Sequence, residues 1–147
     1  LKLTPNSLNQ RQERQANKFS NLSDLHILVV DDEEINLYLA QHLLETEGIN
    51  VAIADSGQKA IKMATQKKFD LVLMDLHMPK LNGWETTQQF RSSNLAQLSD
   101  IPIIGLTADV LKERKEKCIE VGMNLVISKP FVFTELLDKI QTLIKLK

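Results

Sequence analysis

The stretch LVLMDLHMP, Leu71 to Pro79, sets four apolar residues in a row, then an aspartate, then a short turn that ends in proline. Consecutive apolar residues suit a strand covered on both faces, as in a parallel sheet packed between helices. A carboxylate placed straight after such a strand is costly unless something beyond the strand end uses it. The reading of Asp75 therefore depends on what stands beside it.

The same pattern recurs along the chain. Near-continuous apolar runs occupy LHILVV (25–30), VAIA (51–54), FDLVLM (69–74), IPIIGL (101–106) and LVIS (125–128). The segments between them carry a helical period. In 34–47, Ile35, Leu39 and Leu43 recur at fours, with Leu37, Ala40 and Leu44 widening the apolar face and Gly48 as the stop. Ser56 can cap a second helix that buries Ala60, Met63 and Ala64. Asn82-Gly83 opens a third around Trp84, Thr87 and Phe90. Asp109 can cap a charge-dense fourth, closed by Gly122. Thr134 starts the last, with Leu136, Leu137, Ile140, Leu143 and Ile144 facing inward. Strands alternating with helices in this way predict a doubly wound α/β domain, with the functional site beyond the carboxyl ends of the strands.

Composition narrows the classes. At 147 residues the chain is one domain with a real core. A net charge of −1 gives no electrostatic case for nucleic acid or an acidic membrane surface. The lone Cys118 excludes an internal disulfide and fits a reducing compartment. No apolar run approaches the roughly 20 residues that cross a bilayer, and no signal-peptide core opens the chain. A cytoplasmic location is expected, which leaves room for a membrane-anchored parent protein. Residues 1–23, rich in Asn, Gln and Arg, read as a linker or tail in which a short amphipathic helix over 8–19 is compatible. The opening at Leu1 rather than Met points to a piece of something longer, with the folded domain over 24–147.

The strand ends carry a constellation. Asp31 and Asp32 follow strand one, Asp75 follows strand three, Thr107 and Ala108 follow strand four, and Lys129 and Pro130 follow strand five. Each has a plainer reading by itself: dipole-favoured acids at a helix start, a turn residue, a cap, a solvated lysine. Together, on one rim, they are different. Crowded carboxylates repel unless a cation joins them, and a hard divalent ion such as Mg²⁺ takes oxygen ligands while leaving room for a phosphoryl oxygen. A carboxylate beside that ion can accept a phosphoryl group, and a lysine and a hydroxyl nearby can stabilise its charge. Asp75 reads as a phosphoryl acceptor.

These residues resemble the receiver domain of two-component response regulators, through ILVVDDEEIN, LVLMDLHMPKLNGWE, IPIIGLTAD and GMNLVISKPF. The resemblance covers about residues 25–144. It implies a flavodoxin-like (CheY-like) fold, a five-stranded parallel sheet of order 2-1-3-4-5 with helices on both faces. It implies Asp75 as phospho-acceptor, Asp31 and Asp32 as the acidic pair for Mg²⁺ (Asp32 direct, Asp31 through water), and the His77 backbone carbonyl as a further ligand. Thr107 and Lys129 would bind the phosphoryl group, and Ala108, Pro79, Gly83 and Pro130 would shape the site, with Lys129–Pro130 in the cis form. Family members often carry a Tyr or Phe three residues before the lysine, where this chain has Val126; Gly105 replaces a more usual alanine. The local sequence is most similar to receivers of hybrid histidine kinases, and a stand-alone or other multidomain regulator is the alternative. The partner would be a histidine kinase or a histidine phosphotransfer bundle, docked on Ile35, Asn36, Tyr38 and Leu39 and the loop after Pro130. The domain's own chemistry would be limited to gaining and losing the phosphoryl group.

Two other designs fit less well. A flavin module on this topology needs a phosphate loop rich in Ser, Thr and Gly after strand one, where DDEEIN stands. An aspartyl-phosphate phosphohydrolase carries its nucleophile on the first strand with a second aspartate two residues on, and a substrate cap; the adjacent Asp31-Asp32 and the lack of a cap insertion argue against it. His26 and His42 read as surface residues. Trp84 reads as packing near the acceptor loop, where its fluorescence can report on ligands.

Overall fold

In the computed structural model, which describes residues 22–108 and 111–145, all five expected strands join one parallel sheet of order β2-β1-β3-β4-β5. The strands are β1 (His26–Val30), β2 (Asn50–Ala54), β3 (Leu71–Asp75), β4 (Ile103–Thr107) and β5 (Leu125–Ser128). Around them lie α1 (Glu34–Glu45), α2 (Gly57–Gln66), α3 (Gly83–Arg91), α4 (Ala96–Ser99), α5 (Lys112–Val121) and α6 (Phe133–Lys145). No helix among the described residues is long and apolar enough to cross a membrane.

The strand period of two sends alternate side chains to opposite layers. Leu71 and Leu73 of β3 pack with Leu37 and Leu44 of α1 and with Leu136, Leu137 and Ile140 of α6. Val72 and Met74 pack the other way, against Ala60 and Ala64 of α2, Phe90 of α3, Leu98 of α4 and Cys118 of α5. β3 is buried at every position, because it is covered on both faces and paired on both edges. That explains its unbroken apolar run.

Several boundaries differ from the sequence expectation. β3 and β4 each begin two residues later than their apolar runs and end one residue further on, so Asp75 and Thr107 are the last strand residues. Pro102 has no N–H for the ladder, yet its carbonyl accepts from Val72 N at 2.9 Å. In α1 the residues recurring at fours are not the buried ones. Ile35 is 79% and Leu39 57% exposed, whereas Leu37 and Leu44, seven apart, face the sheet. The single turn of α4 is too short to carry a helical period in the sequence. α5 starts after Leu111 at its N-cap position; Asp109, the expected cap, lies outside the described residues. Leu22, within the expected tail, is fully buried in the layer beneath α1 and α6.

Two long-range contacts fix α3. The Arg91 guanidinium donates to Gly122 O (2.8 Å), Leu98 O (3.4 Å), Ser99 O (3.0 Å) and Asn124 Oδ1 (3.0 Å), tying together the carboxyl ends of α3, α4 and α5. At the other end, Gly83 N donates to Leu76 O at 3.0 Å. A Cβ on Gly83 would stand 2.4 Å from Asp75 O, so only glycine lets the first turn of α3 rest on the end of β3. Asn82 caps the helix with a reciprocal Glu85 bond.

Candidate functional site

Because β1, β3, β4 and β5 are consecutive in the sheet, their carboxyl ends bring Asp31, Asp75, Thr107 and Lys129 side by side. Asp31 (4% exposed), Asp75 (6%) and Thr107 (1%) are buried, while Asp32 is exposed to solvent. One oxygen from each of Asp31, Asp32 and Asp75 lies within 4.8 Å of the others. Lys129 Nζ stands 3.3 Å from Asp31 Oδ2 and 3.3 Å from Asp75 Oδ1. The other Asp31 oxygen accepts from Glu33 N at 2.9 Å, which holds that carboxylate in place at the entrance to α1. Lys129 N donates to Thr107 O at 2.7 Å, so the lysine is anchored to the neighbouring strand.

The electrostatics follow from this crowding. Burial raises the Asp75 carboxyl above the usual aspartate value, Lys129 opposes it, and the charges of Asp31 and Asp32 add to the rise. Burial works against the Lys129 ammonium, but Asp75 and Asp31 outweigh it, and its pKa lies above the ordinary lysine value. A single lysine thus serves two buried carboxylates, with a third beside them. The oxygen set suits a hard divalent cation. Ligand oxygens around Mg²⁺ lie about 3 Å apart when adjacent and about 4 Å apart when opposite, given bonds of about 2.1 Å.

The remaining expected residues take varied places. His77, Pro79 and Pro130 are exposed, Ala108 is exposed beside Thr107, and the Lys129–Pro130 bond is cis. Val126 is half-buried against the layer that contains Met123 and Trp84. On α1, Ile35, Tyr38 and Leu39 are exposed; Tyr38 Oη donates to Glu34 Oε1 at 2.9 Å rather than packing on the sheet. Asn36 is half-buried and reaches Glu33 Oε2 at 3.4 Å. A groove of about 470 Å³ runs from Asp31 and Lys129 along Leu39, Leu43, Pro130 and Phe131.

A second cleft, of about 410 Å³, opens on the other side of the rim, between Asp32, His77, Pro79, Trp84 and Arg114. Arg114 was hidden in the sequence within a run of charges, KERKEK, that reads as an ordinary solvated helix face. Its i,i+3 spacing to Lys117, which covers the same indole ring, was the available signal.

This fold and this rim define a class. The chain belongs to the response regulator receiver domain family, whose model matches residues 27–141. Among curated proteins it is 38% identical over 111 residues to the sensor histidine kinase RcsC of Escherichia coli K12, covering 76% of this chain and 11% of that protein. It is 32% identical to the sensory/regulatory protein RpfC of Xanthomonas campestris, over 81% of this chain and 16% of the relative. The chain therefore spans only a small part of these kinases. Among solved structures, the receiver domain of the Pseudomonas aeruginosa sensor histidine kinase PA1611 matches with a TM-score of 0.76 and 32% identity, over 84% of this chain and 99% of that one. That structure holds a magnesium ion in its active-site cleft. The Vibrio cholerae chemotaxis protein CheY4 matches with a TM-score of 0.76 and 29% identity, over 82% and 98% of the two chains.

Proposed function

We propose that this receiver accepts a phosphoryl group on Asp75 and works as a relay step of a hybrid histidine kinase. The observation that carries the reading is Lys129 Nζ at 3.3 Å from both Asp31 and Asp75, beside three converging carboxylates. An Asp75 oxygen attacks the phosphorus of a phosphohistidine. The P–N bond breaks, its electron pair returns to the imidazole nitrogen, and Asp75 becomes an acyl phosphate. Lys129 faces the charge on the transferred group, and the Thr107 hydroxyl, at the next strand end, donates to one of its oxygens. Asp31, Asp32, Asp75 and the His77 carbonyl would hold Mg²⁺, which when bound would supply positive charge against the carboxylates and the phosphoryl oxygens. Ala108, Pro79, Gly83 and Pro130 set the loops around that space.

The partner is a histidine kinase or a histidine phosphotransfer helix bundle. Asn36 and exposed Leu39 line the apolar groove that leads to Lys129, and exposed Ile35 and Tyr38 stand on the same helix, which suits a partner helix carrying its histidine toward Asp75. The kinase relatives support the hybrid context, and the activity of a full-length parent is part of the proposal.

Intact mass after incubation with a small acyl phosphate, with and without Mg²⁺, tests the acceptor. One Mg²⁺-dependent phosphoryl adduct that is absent in Asp75→Asn is expected. Labelling that persists in Asp75→Asn would overturn the assignment.

A further inference from the structure

Gly83 seats the first turn of α3 on the carbonyl of Asp75, and Trp84 is the next residue. The half-buried Trp84 ring walls the cleft that contains Asp32 and His77 on one side. On the other side it meets α5. The indole N–H donates to Cys118 Sγ at 3.1 Å, Lys117 Nζ lies 4.2 Å from the ring centroid, and the Arg114 guanidinium lies 5.9 Å from it. Val126, in the same layer, has no ring. A continuous path of contacts runs from the end of β3 through Gly83 and Trp84 into α5.

That path carries charge as well as packing. Arg114 shares the cleft with Asp32, so an added negative group at the rim attracts the cation that lies above the indole. Lys117 and Cys118 sit on the same helix and would move with it. We propose that Trp84 is the positioning residue through which a change at Asp75 reaches α5. The inference rests on Asp75 being the phosphoryl acceptor.

Beryllofluoride with Mg²⁺, as a phosphoryl mimic, gives a direct test on the full chain by amide NMR. In the wild type, its addition should shift the amides of residues 114–121 as well as those around Asp75. In Trp84→Leu the shifts around Asp75 should remain and the α5 shifts should be lost. Trp84→Phe keeps the ring beneath Lys117 but removes the N–H donor, so it should retain part of the α5 response; it also tests the path should Trp84→Leu fail to fold. A purely structural tryptophan would change the resting spectrum of α5 and leave the response to the mimic intact. Equal α5 responses in the wild type and the folded variants would overturn the link alone. A wild type that gives neither an Asp75 response nor a mass adduct would overturn the acceptor reading, and the link with it.

Discussion

Gly83→Ala and Gly105→Ala introduce the same methyl group with nearly the same nominal overlap, and they should behave very differently. At Gly83 the new Cβ would meet Asp75 O at 2.4 Å, Leu76 Cα at 2.8 Å and Asp75 C at 3.1 Å, all backbone atoms. Restoring an ordinary contact of about 3.4 Å requires α3 and β3 to separate by about 1 Å, which a packed interior resists. The Gly83 N to Leu76 O bond, now 3.0 Å, would stretch with them. Overpacking contributes about 3 kcal/mol and the weakened hydrogen bond about 1 kcal/mol, against a helix-propensity gain of about 1 kcal/mol, for a net loss of about 3 kcal/mol. At Gly105 the Cβ would meet Met123 Sδ at 2.5 Å and its terminal Cε at 3.4 Å, both in the outer part of a flexible thioether. Rotating that side chain costs about 1 kcal/mol, and removing glycine from a strand returns about 0.5–1 kcal/mol, so the change should be close to neutral. Urea unfolding of both variants, at unchanged m-value, measures the difference. Equal losses would refute the argument that the identity of the neighbour, rather than the overlap, sets the cost.

Other outcomes follow from the same geometry. Saturating Mg²⁺ should raise the wild-type unfolding free energy by about 2.7 kcal/mol at one hundred times its dissociation constant, and a thermal-shift titration should show that gain lost in Asp32→Asn. Arg91→Met should destabilise the fold by about 3 kcal/mol in denaturant titration, because it strips a charged donor from four acceptors at once. Burial raises the Cys118 thiol pKa, against the lowering effect of the Trp84 N–H, so the thiol stays protonated at neutral pH. Alkylation of Cys118 followed by mass spectrometry should be slower than that of a free thiol and should accelerate only as pH rises or the protein unfolds.

The sheet was legible because each strand is covered on both faces and so is apolar on consecutive residues. Asp75, Asp31, Thr107 and Lys129 were legible because a parallel sheet sends all its strand ends to one rim. The inward face of α1 was not. Ile35 and Leu39 keep the helical period yet stand in solvent, and periodicity alone cannot tell an exposed apolar stripe from a buried one. Arg91 reads as a surface residue until Gly122 and Asn124, far along the chain, come to meet it. The tight seat of Gly83 is equally non-local, since the residues it touches belong to another element.

The sheet also divides the rim into a fixed and a yielding part. Asp75 ends a central strand paired on both sides, whereas Lys129 follows β5, a four-residue edge strand paired only with β4. Edge strands open at lower free energy than the centre. In hydrogen exchange, amides of β5 should therefore become labelled well before those of β3. Asp75 is bolted down, and the lysine that faces it is carried by the yielding edge of the sheet.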